Sequence, residues 1–289
     1  MPFPQFTNSL RSIWANPHIN RGVGIARHLH WQYRKAVNAF PFEQRISSSR
    51  ILAHHRRCGV SALIYSQGLY NYNNMRLLRR LLEGGGVFFD IGANIGSYTL
   101  VASESDRALV FAFEPHPVTF HYLSQNVELN RRGNVILLNI ALGDHDGQAR
   151  LTDEAGSATN HIATEAATAA IPVICRRIDS YCDEHGVTPA IVKIDVEGFE
   201  YGVLEGFGRY RRSLGVVFVE MNGLADARSR GQADIHQLLT EDGLRGPYSC
   251  NFDMQRFQKA GWSAEDSIYL SESLCETLRG MGFQIETPA

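Results

Sequence analysis

The residues whose types and spacing carry chemistry begin at Asp90. The run Asp90-Ile91-Gly92-Ala93-Asn94-Ile95-Gly96 follows the apolar Val87-Phe88-Phe89 and opens a helix-forming stretch. Glycines in such a strand-to-helix turn permit a tight bend and let the backbone approach a ligand closely. Several nucleotide-binding folds use a turn of this kind, so by itself it is a weak signal. Three details narrow it. Asp90 stands where the dinucleotide fingerprint has its first glycine, and a carboxylate there repels a pyrophosphate but suits an ammonium and a sulfonium. Asn94 stands where the second glycine would admit a phosphate, and its amide is able to bond both the amine and the carboxylate of an amino acid. Glu114 lies 24 residues after Asp90, at the end of the next apolar run, Leu109–Phe113. From there a carboxylate accepts bonds from both hydroxyls of a ribose.

Together these features describe a nucleoside bearing a cationic amino acid, S-adenosylmethionine (SAM). Asp90, Gly92, Asn94, Gly96, Ser97, Tyr98, Glu114, Pro115 and Asn139 are the expected cofactor residues. The Glu114 feature serves a nicotinamide dinucleotide equally well, so a nicotinamide-dependent oxidoreductase stands as an alternative. Each acid taken alone would also serve as a helix cap.

In an open parallel sheet, ligands lie beyond the carboxyl ends of the strands. On that edge the chain also offers Asp195 and Glu220, with Glu197 two residues past the former. These three acids are the expected acceptor-facing residues, with helix capping as the competing reading for Asp195 and Glu197. Glu220 is either an acceptor contact or a base. His161, in Ser157-Ala158-Thr159-Asn160-His161, is the expected general base, because an imidazole with an ordinary pKa of about 6.5 suits that task. A surface histidine in a loop is its plain alternative. A Mg²⁺ bridging Asp195 and Glu220 is chemically conceivable, but no spacing demands a metal and none is expected. His116, just after Glu114-Pro115, falls near the adenine.

These residues need elements to position them. Short, nearly all-apolar strands at Val87–Phe89, Leu109–Phe113, Val135–Leu138, Ile191–Ile194 and Val216–Val219 alternate with helices from Asn73 or Asn74 to Leu82, from Ile95, over Val118–Arg131 and from Phe199. That rhythm predicts a parallel sheet covered on both faces. Residues 144–175 interrupt it with a polar, glycine-punctuated hairpin and long loop. Towards the end, a helix at Ile235–Leu244, extended stretches at Tyr248–Phe252 and Ile268–Leu270, and a helix from Ser271 extend the sheet's edge.

The charge is unevenly spread. The whole chain nets −2, which gives no case for a nucleic-acid partner. Residues 1–60 hold nine Lys/Arg against the single acid Glu43, a net of +8, so the remainder nets −10. Within this basic arm Ile25, Leu29, Tyr33, Val37 and Phe40 recur at helical spacing. Such a stripe packs on its own domain or a second subunit, giving a homodimer, or lies peripherally on a membrane. No run is long enough to span one, and the first twenty residues lack a secretory signal's apolar core. The five cysteines form no metal-binding or redox pair, so free thiols are expected. The expectation is a cytoplasmic protein.

The motifs in order resemble the FkbM-type methyltransferases. The resemblance is carried by Val87–Leu100, Phe113-Glu114-Pro115, Asn126-Val127-Glu128-Leu129-Asn130, Ala141-Leu142-Gly143-Asp144, Lys193–Glu200 and Val219-Glu220-Met221-Asn222-Gly223. It spans about Gly68 to Gly223, with departures at Gly68-Leu69-Tyr70-Asn71 and at Arg177-Ile178-Asp179. The resemblance implies an α/β class I SAM-methyltransferase (Rossmann-like) fold. It implies seven strands, mostly parallel, with an antiparallel last strand. The basic segment reads as a helical or extended arm over residues 1–68, ahead of a SAM-dependent methyltransferase domain over 69–289. The resemblance further implies O-methylation of a hydroxyl on a sugar, glycan or glycosylated natural product. A catalytically silent scaffold on the same fold is the alternative from outside enzymology.

Overall fold

The computed structural model describes residues 10–11, 13–14, 16–153, 162, 170–221, 230–261 and 266–286. The arm contains α1 (Arg21–Ala36), the hairpin β1 (Phe42–Ile46) and β2 (Ser49–Ala53), and α2 (Gly59–Gln67). Then α3 (Tyr72–Leu82), β3 (Gly86–Ile91), α4 (Ser97–Ala102), β4 (Ala108–Phe113), α5 (Pro117–Leu129) and β5 (Val135–Leu138) alternate as parallel crossovers require. A small separate sheet follows, of β6 (Ala141–Leu142), β7 (Gly147–Thr152) and β8 (Ala170–Arg176). The alternation resumes with α6 (Ile178–His185), β9 (Ile191–Ile194), α7 (Glu200–Gly206), a 3₁₀ turn at Gly208–Ser213 and β10 (Val216–Glu220). Last come α8 (Gln232–Glu241), β11 (Arg245–Asn251), β12 (Arg256–Lys259), β13 (Asp266–Leu270), α9 (Glu272–Gly280) and β14 (Gln284–Ile285).

The main sheet runs β14-β12-β11-β13-β10-β9-β3-β4-β5. From β10 to β5 every pairing is parallel, and β13 inserts antiparallel between β10 and β11. The seven strands of the class I SAM fold are thus present with their antiparallel member. Among the described residues the sheet has nine strands and not seven, because β12 and β14 extend its edge through pairings such as Arg256↔Gln284. These two strands are short and lack an apolar run, so the sequence pattern carries no sign of them. Strand order reverses between β3 and β9, and a ligand crevice opens at such a switch.

Alternation along each strand divides the core. Phe88, Val110 and Ala112 point to one face, against Met75, Leu78, Leu100 and Leu123. Phe89, Ile91, Phe111 and Phe113 point to the other, against Ile178, Leu204 and Ile235. The arm shares the first cluster through Ile46, Ile51 and Ile64. All five cysteines are free and buried, and no helix of the described residues is long and apolar enough to cross a membrane.

Two local expectations change. Neither Asn73 nor Asn74 caps α3, which starts at Tyr72 after Asn71. Asn73 instead accepts from the Phe252 amide (2.9 Å), while Asn74 is buried facing Asp266. Both amides satisfy partners far along the chain. In α1 the stripe Leu29, Tyr33, Val37 does not face the core; Gly24, His28 and Trp31 do. The Trp31 indole nests among Phe40, Phe42 and Tyr65, and burying this large ring outweighs burying the smaller chains.

Close backbone packing sets one strict requirement. A Cβ on Gly206, at the end of α7, would lie 1.9 Å from the Gly143 carbonyl oxygen. Gly206→Ala should therefore destabilise the protein by about 1–3 kcal/mol, the usual cost of overpacking. Urea denaturation reads this directly, and an unchanged midpoint would show that the two segments are not in contact.

Candidate active site

The turn after β3 is held by backbone. The Gly92 and Ala93 amides both donate to the Phe113 carbonyl, at 3.0 and 2.9 Å. Gly92 has φ +80° and sits so near β9 that a Cβ would lie 1.8 Å from the Asp195 carbonyl oxygen, so no other residue fits. Asn94 takes the left-handed region (φ +53°) that asparagine tolerates, and its Oδ1 accepts from the Ile95 amide at 2.8 Å. Gly96 ends the turn and starts α4.

Asp90 lies beneath this turn, only 1% exposed, where it accepts from Thr99 Oγ1 at 2.5 Å. Burial pushes its pKa up to about 6, against the opposing pull of the Lys193 ammonium and the Thr99 bond. Glu114, at the tip of β4, accepts from the His116 amide (3.0 Å) and the Asn94 amide (3.0 Å). Burial pushes its carboxyl up to about 7, and those two amides limit the rise. Asn139 donates to the Glu114 and Pro115 carbonyls, at 2.8 and 3.0 Å, bracing the tip from outside.

At the ends of β9 and β10 a second group converges. Lys193, its side chain 5% exposed, donates to Asp195 Oδ2 at 2.7 Å and lies 4.0 Å from Asp266 Oδ1. Its ammonium also stands 4.8 Å from the centre of the Tyr98 ring. Burial opposes the charge on Lys193, but the two aspartates more than compensate and its pKa is raised. Asp195 is pushed up by burial and pulled further down by Lys193, ending below the usual carboxylate range. Glu220, hydrogen-bonded to Asp195, is pushed up to about 9 by burial and by that neighbouring charge. Carboxylate oxygens of Asp195, Glu197 and Glu220 all lie within 4.8 Å of one another. This is the one oxygen-donor cluster among the described residues, and it is balanced internally by an ammonium and by the bond between Asp195 and Glu220.

Helix capping does not account for these acids. The N-terminus of α7 has Phe199 as its cap with no side-chain bond, and the buried Glu200 takes the Gly198 and Val196 amides instead.

Both groups face one cavity of about 240 Å³. Gly92, Asn94, Glu114 and Pro115 line it together with Asp195, Glu197 and Glu220. Asp90, Gly96, Ser97, Tyr98 and Asn139 do not; they form the layer behind the wall. Tyr98 donates to Asp266 (2.8 Å), and Ser97 shares a hydrogen bond with Tyr70 (3.0 Å). His116 lines the cavity, whereas His161 lies outside the described residues. The sequence pattern missed Leu142 and Phe199 as wall residues, since apolar side chains carry no mark separating a wall from a core; Tyr70, in a stretch where the chain departs from the family, also lines the cavity. It gave Lys193 no role, although the residue opens the Lys193–Glu200 block and stands as a lysine inside an apolar strand.

The FkbM methyltransferase domain matches residues 90–253. A hexuronic acid methyltransferase, AglP, of Haloferax volcanii is 34% identical over 173 residues, covering 59% of this chain and 68% of that protein. A tRNA(Phe) (4-demethylwyosine(37)-C(7)) aminocarboxypropyltransferase of Methanocaldococcus jannaschii is 35% identical over 78 residues, 27% of this chain and 30% of that protein. Among solved structures, a SAM-dependent methyltransferase from Agrobacterium tumefaciens superposes with a TM-score of 0.43 at 11% identity, over 70% of this chain and 57% of that one. The chain belongs to the FkbM methyltransferase family, and its cofactor is S-adenosylmethionine.

Proposed function

We propose that this protein moves the methyl group of SAM to a hydroxyl oxygen of a sugar, in a glycan or a glycosylated natural product. The observation that carries the reading is the shared cavity. It joins a ribose-type carboxylate and an amino-acid-type turn to three acids at the next strand ends. The likeness to a methyltransferase named for hexuronic acid supports a sugar acceptor.

In this reading Glu114 accepts both ribose hydroxyls, and the turn from Gly92 to Asn94 holds the methionine end. Asp90 supplies negative charge from beneath. Pro115 and His116 border the adenine, while Asn139, Gly96, Ser97 and Tyr98 brace these groups. The cofactor supplies an electrophilic methyl on a cationic sulfur. Asp195 stays charged and accepts from the acceptor, Glu220 stays protonated with its proton turned to Asp195 and offers the acceptor its other oxygen, and Glu197 closes the cluster. Positioning of this kind accounts for about 7–11 kcal/mol of barrier in favourable cases. The acceptor's O–H proton passes to His161 as the oxygen bonds carbon and the carbon–sulfur bond breaks. What supports His161 is its chain neighbour Ile162, which lines the cavity and bridges to Leu151.

The direct test is to incubate the protein with methyl-labelled SAM and fractionated glycans and locate the label by NMR. A sugar methyl ether is the expected product; label on carboxyl or nitrogen overturns the assignment. SAM binding with no transfer to any fraction would leave a silent scaffold. His161→Ala should lower turnover by about 10²–10⁴-fold, the usual worth of a general base, with SAM affinity unchanged; equal turnover would remove it from the reaction. Glu114→Ala should weaken SAM binding by about 100-fold, the loss of two charge-assisted bonds, without unfolding the protein.

The raised pKa of Glu114 adds a pH signature. Only the ionised carboxylate accepts from both hydroxyls, and in the free protein it ionises near 7. Calorimetry should show SAM affinity falling by about tenfold per pH unit from 7 towards 6, the slope for one proton, with Glu114→Gln flattening that part of the profile and the Asp90 carboxyl, at about 6, adding to the fall below it. A pH-independent affinity in the parent protein would place the ribose elsewhere.

A further inference from the structure

Helix α1 packs on the rest of the chain with Gly24, His28 and Trp31 and leaves its other side bare. On that side Ala26, Leu29, Tyr33 and Val37 follow one another by three or four residues, all exposed; Leu29 is 54%, Tyr33 62% and Val37 52% exposed. Trp14, 60% exposed, carries the Arg21 guanidinium 4.7 Å from its ring centre. Apolar side chains this open and this regular are uncommon on a surface with no partner.

The charge around the stripe says what covers it. Helix α1 contains Arg21, Arg27, Arg34 and Lys35 and no acid, and the chain has no acid before Glu43. Arg34 turns inward, donating to the Ala39 carbonyl (3.2 Å) over the Phe42 ring. Arg21 and Arg27 are exposed on the same helix, with Arg27 turned away from Leu29 by the helical spacing. A second copy would set this uniformly basic helix against its own image, and like charges opposed across an interface cost affinity. An anionic lipid surface matches both properties at once: apolar and aromatic side chains enter the boundary between headgroups and acyl chains, and arginines meet the phosphates.

We propose that α1 docks the protein on an anionic membrane surface through Leu29, Tyr33, Val37 and Trp14, with Arg21 and Arg27 on the headgroups. This goes beyond the transfer reaction and does not depend on which atom is methylated. It bears on that reaction through one helix. Tyr65 of α2 bonds His30 of α1 at 2.7 Å, and Val60, at the start of α2, lines the catalytic cavity.

The test is flotation of the full chain with phosphatidylcholine vesicles, with and without about a third phosphatidylglycerol. Binding to the anionic vesicles is expected, weakening with salt as surface electrostatics are screened. Arg27→Glu should lower the partition coefficient by about 30-fold, two unit charges at about fivefold each. Leu29→Glu with Tyr33→Glu should abolish binding, while Met254→Glu, an exposed apolar side chain elsewhere, should leave it intact. Thermal melting and SAM affinity, unchanged in all three, show that each remains folded. Absence of binding to anionic vesicles, or equal binding by Leu29→Glu/Tyr33→Glu, overturns the proposal. So does a dimer in sedimentation that this double variant dissolves, since a second copy would then cover the face.

Discussion

A single buried ammonium holds the catalytic end of the sheet together. Lys193 lies on β9 with its side chain almost wholly out of water, beside Asp195 and Asp266 and near the Tyr98 ring. Asp90 and Glu220 crowd the same strand ends. Four acids this close, two of them buried and two half-buried, cannot all stay ionised without compensation, and breaking a buried pair typically costs about 3–5 kcal/mol because a charge is left alone. The ammonium's influence also runs along the chain. Asp266, which it faces, accepts from Tyr98 and from Asn71 some 195 residues away. The C-terminal strand β13 and the segment before β3 are thereby fixed to one cation.

That arrangement sorts the carboxyls by how tightly each holds a proton. Asp195, closest to the ammonium, is held ionised. Glu220, bonded to Asp195 and farther from compensation, keeps its proton to about 9. Asp90 and Glu114 lie between, at about 6 and about 7, because burial raises both while Lys193 relieves Asp90 and backbone amides relieve Glu114. Pairs of titratable groups driven apart by their surroundings are what acid–base work at neutral pH requires. The glycine turn serves the same end. By pressing Gly92 against the Asp195 carbonyl, it brings the tips of β3 and β9 together, so that the turn and the acids share one wall.

Much of this was legible in the residues, and the rest was not for identifiable reasons. The parallel strands were readable because strands covered on both faces are apolar throughout. The Asp90 turn and Glu114 were readable because their spacing is fixed by one crossover. The spacing did not tell which acids would line the cavity: Asp90 lies behind the turn, and Glu114 lies on the wall. The caps assigned to Asn73 and Asn74 failed because both amides satisfy partners near the other end of the chain. Periodicity likewise marked α1 as amphipathic without revealing that Trp31, off the stripe, would win the core.

The division of charge along the chain follows from the same packing. The basic arm and the acidic body share one apolar cluster through Ile46, Ile51 and Ile64, and apolar contact is indifferent to charge. Polar bonds add to that contact: Arg50 of the arm donates to the Leu129 carbonyl of α5 at 3.1 Å. Exposed charges farther apart than about 8–10 Å are largely screened at ordinary salt. A buried ammonium at 2.7 Å from Asp195 is not screened. The cation that faces the acids of the cavity is Lys193, inside the sheet. Arg21 and Arg27 pair with no acid among the described residues; both are exposed, and the Arg21 guanidinium lies over the Trp14 ring.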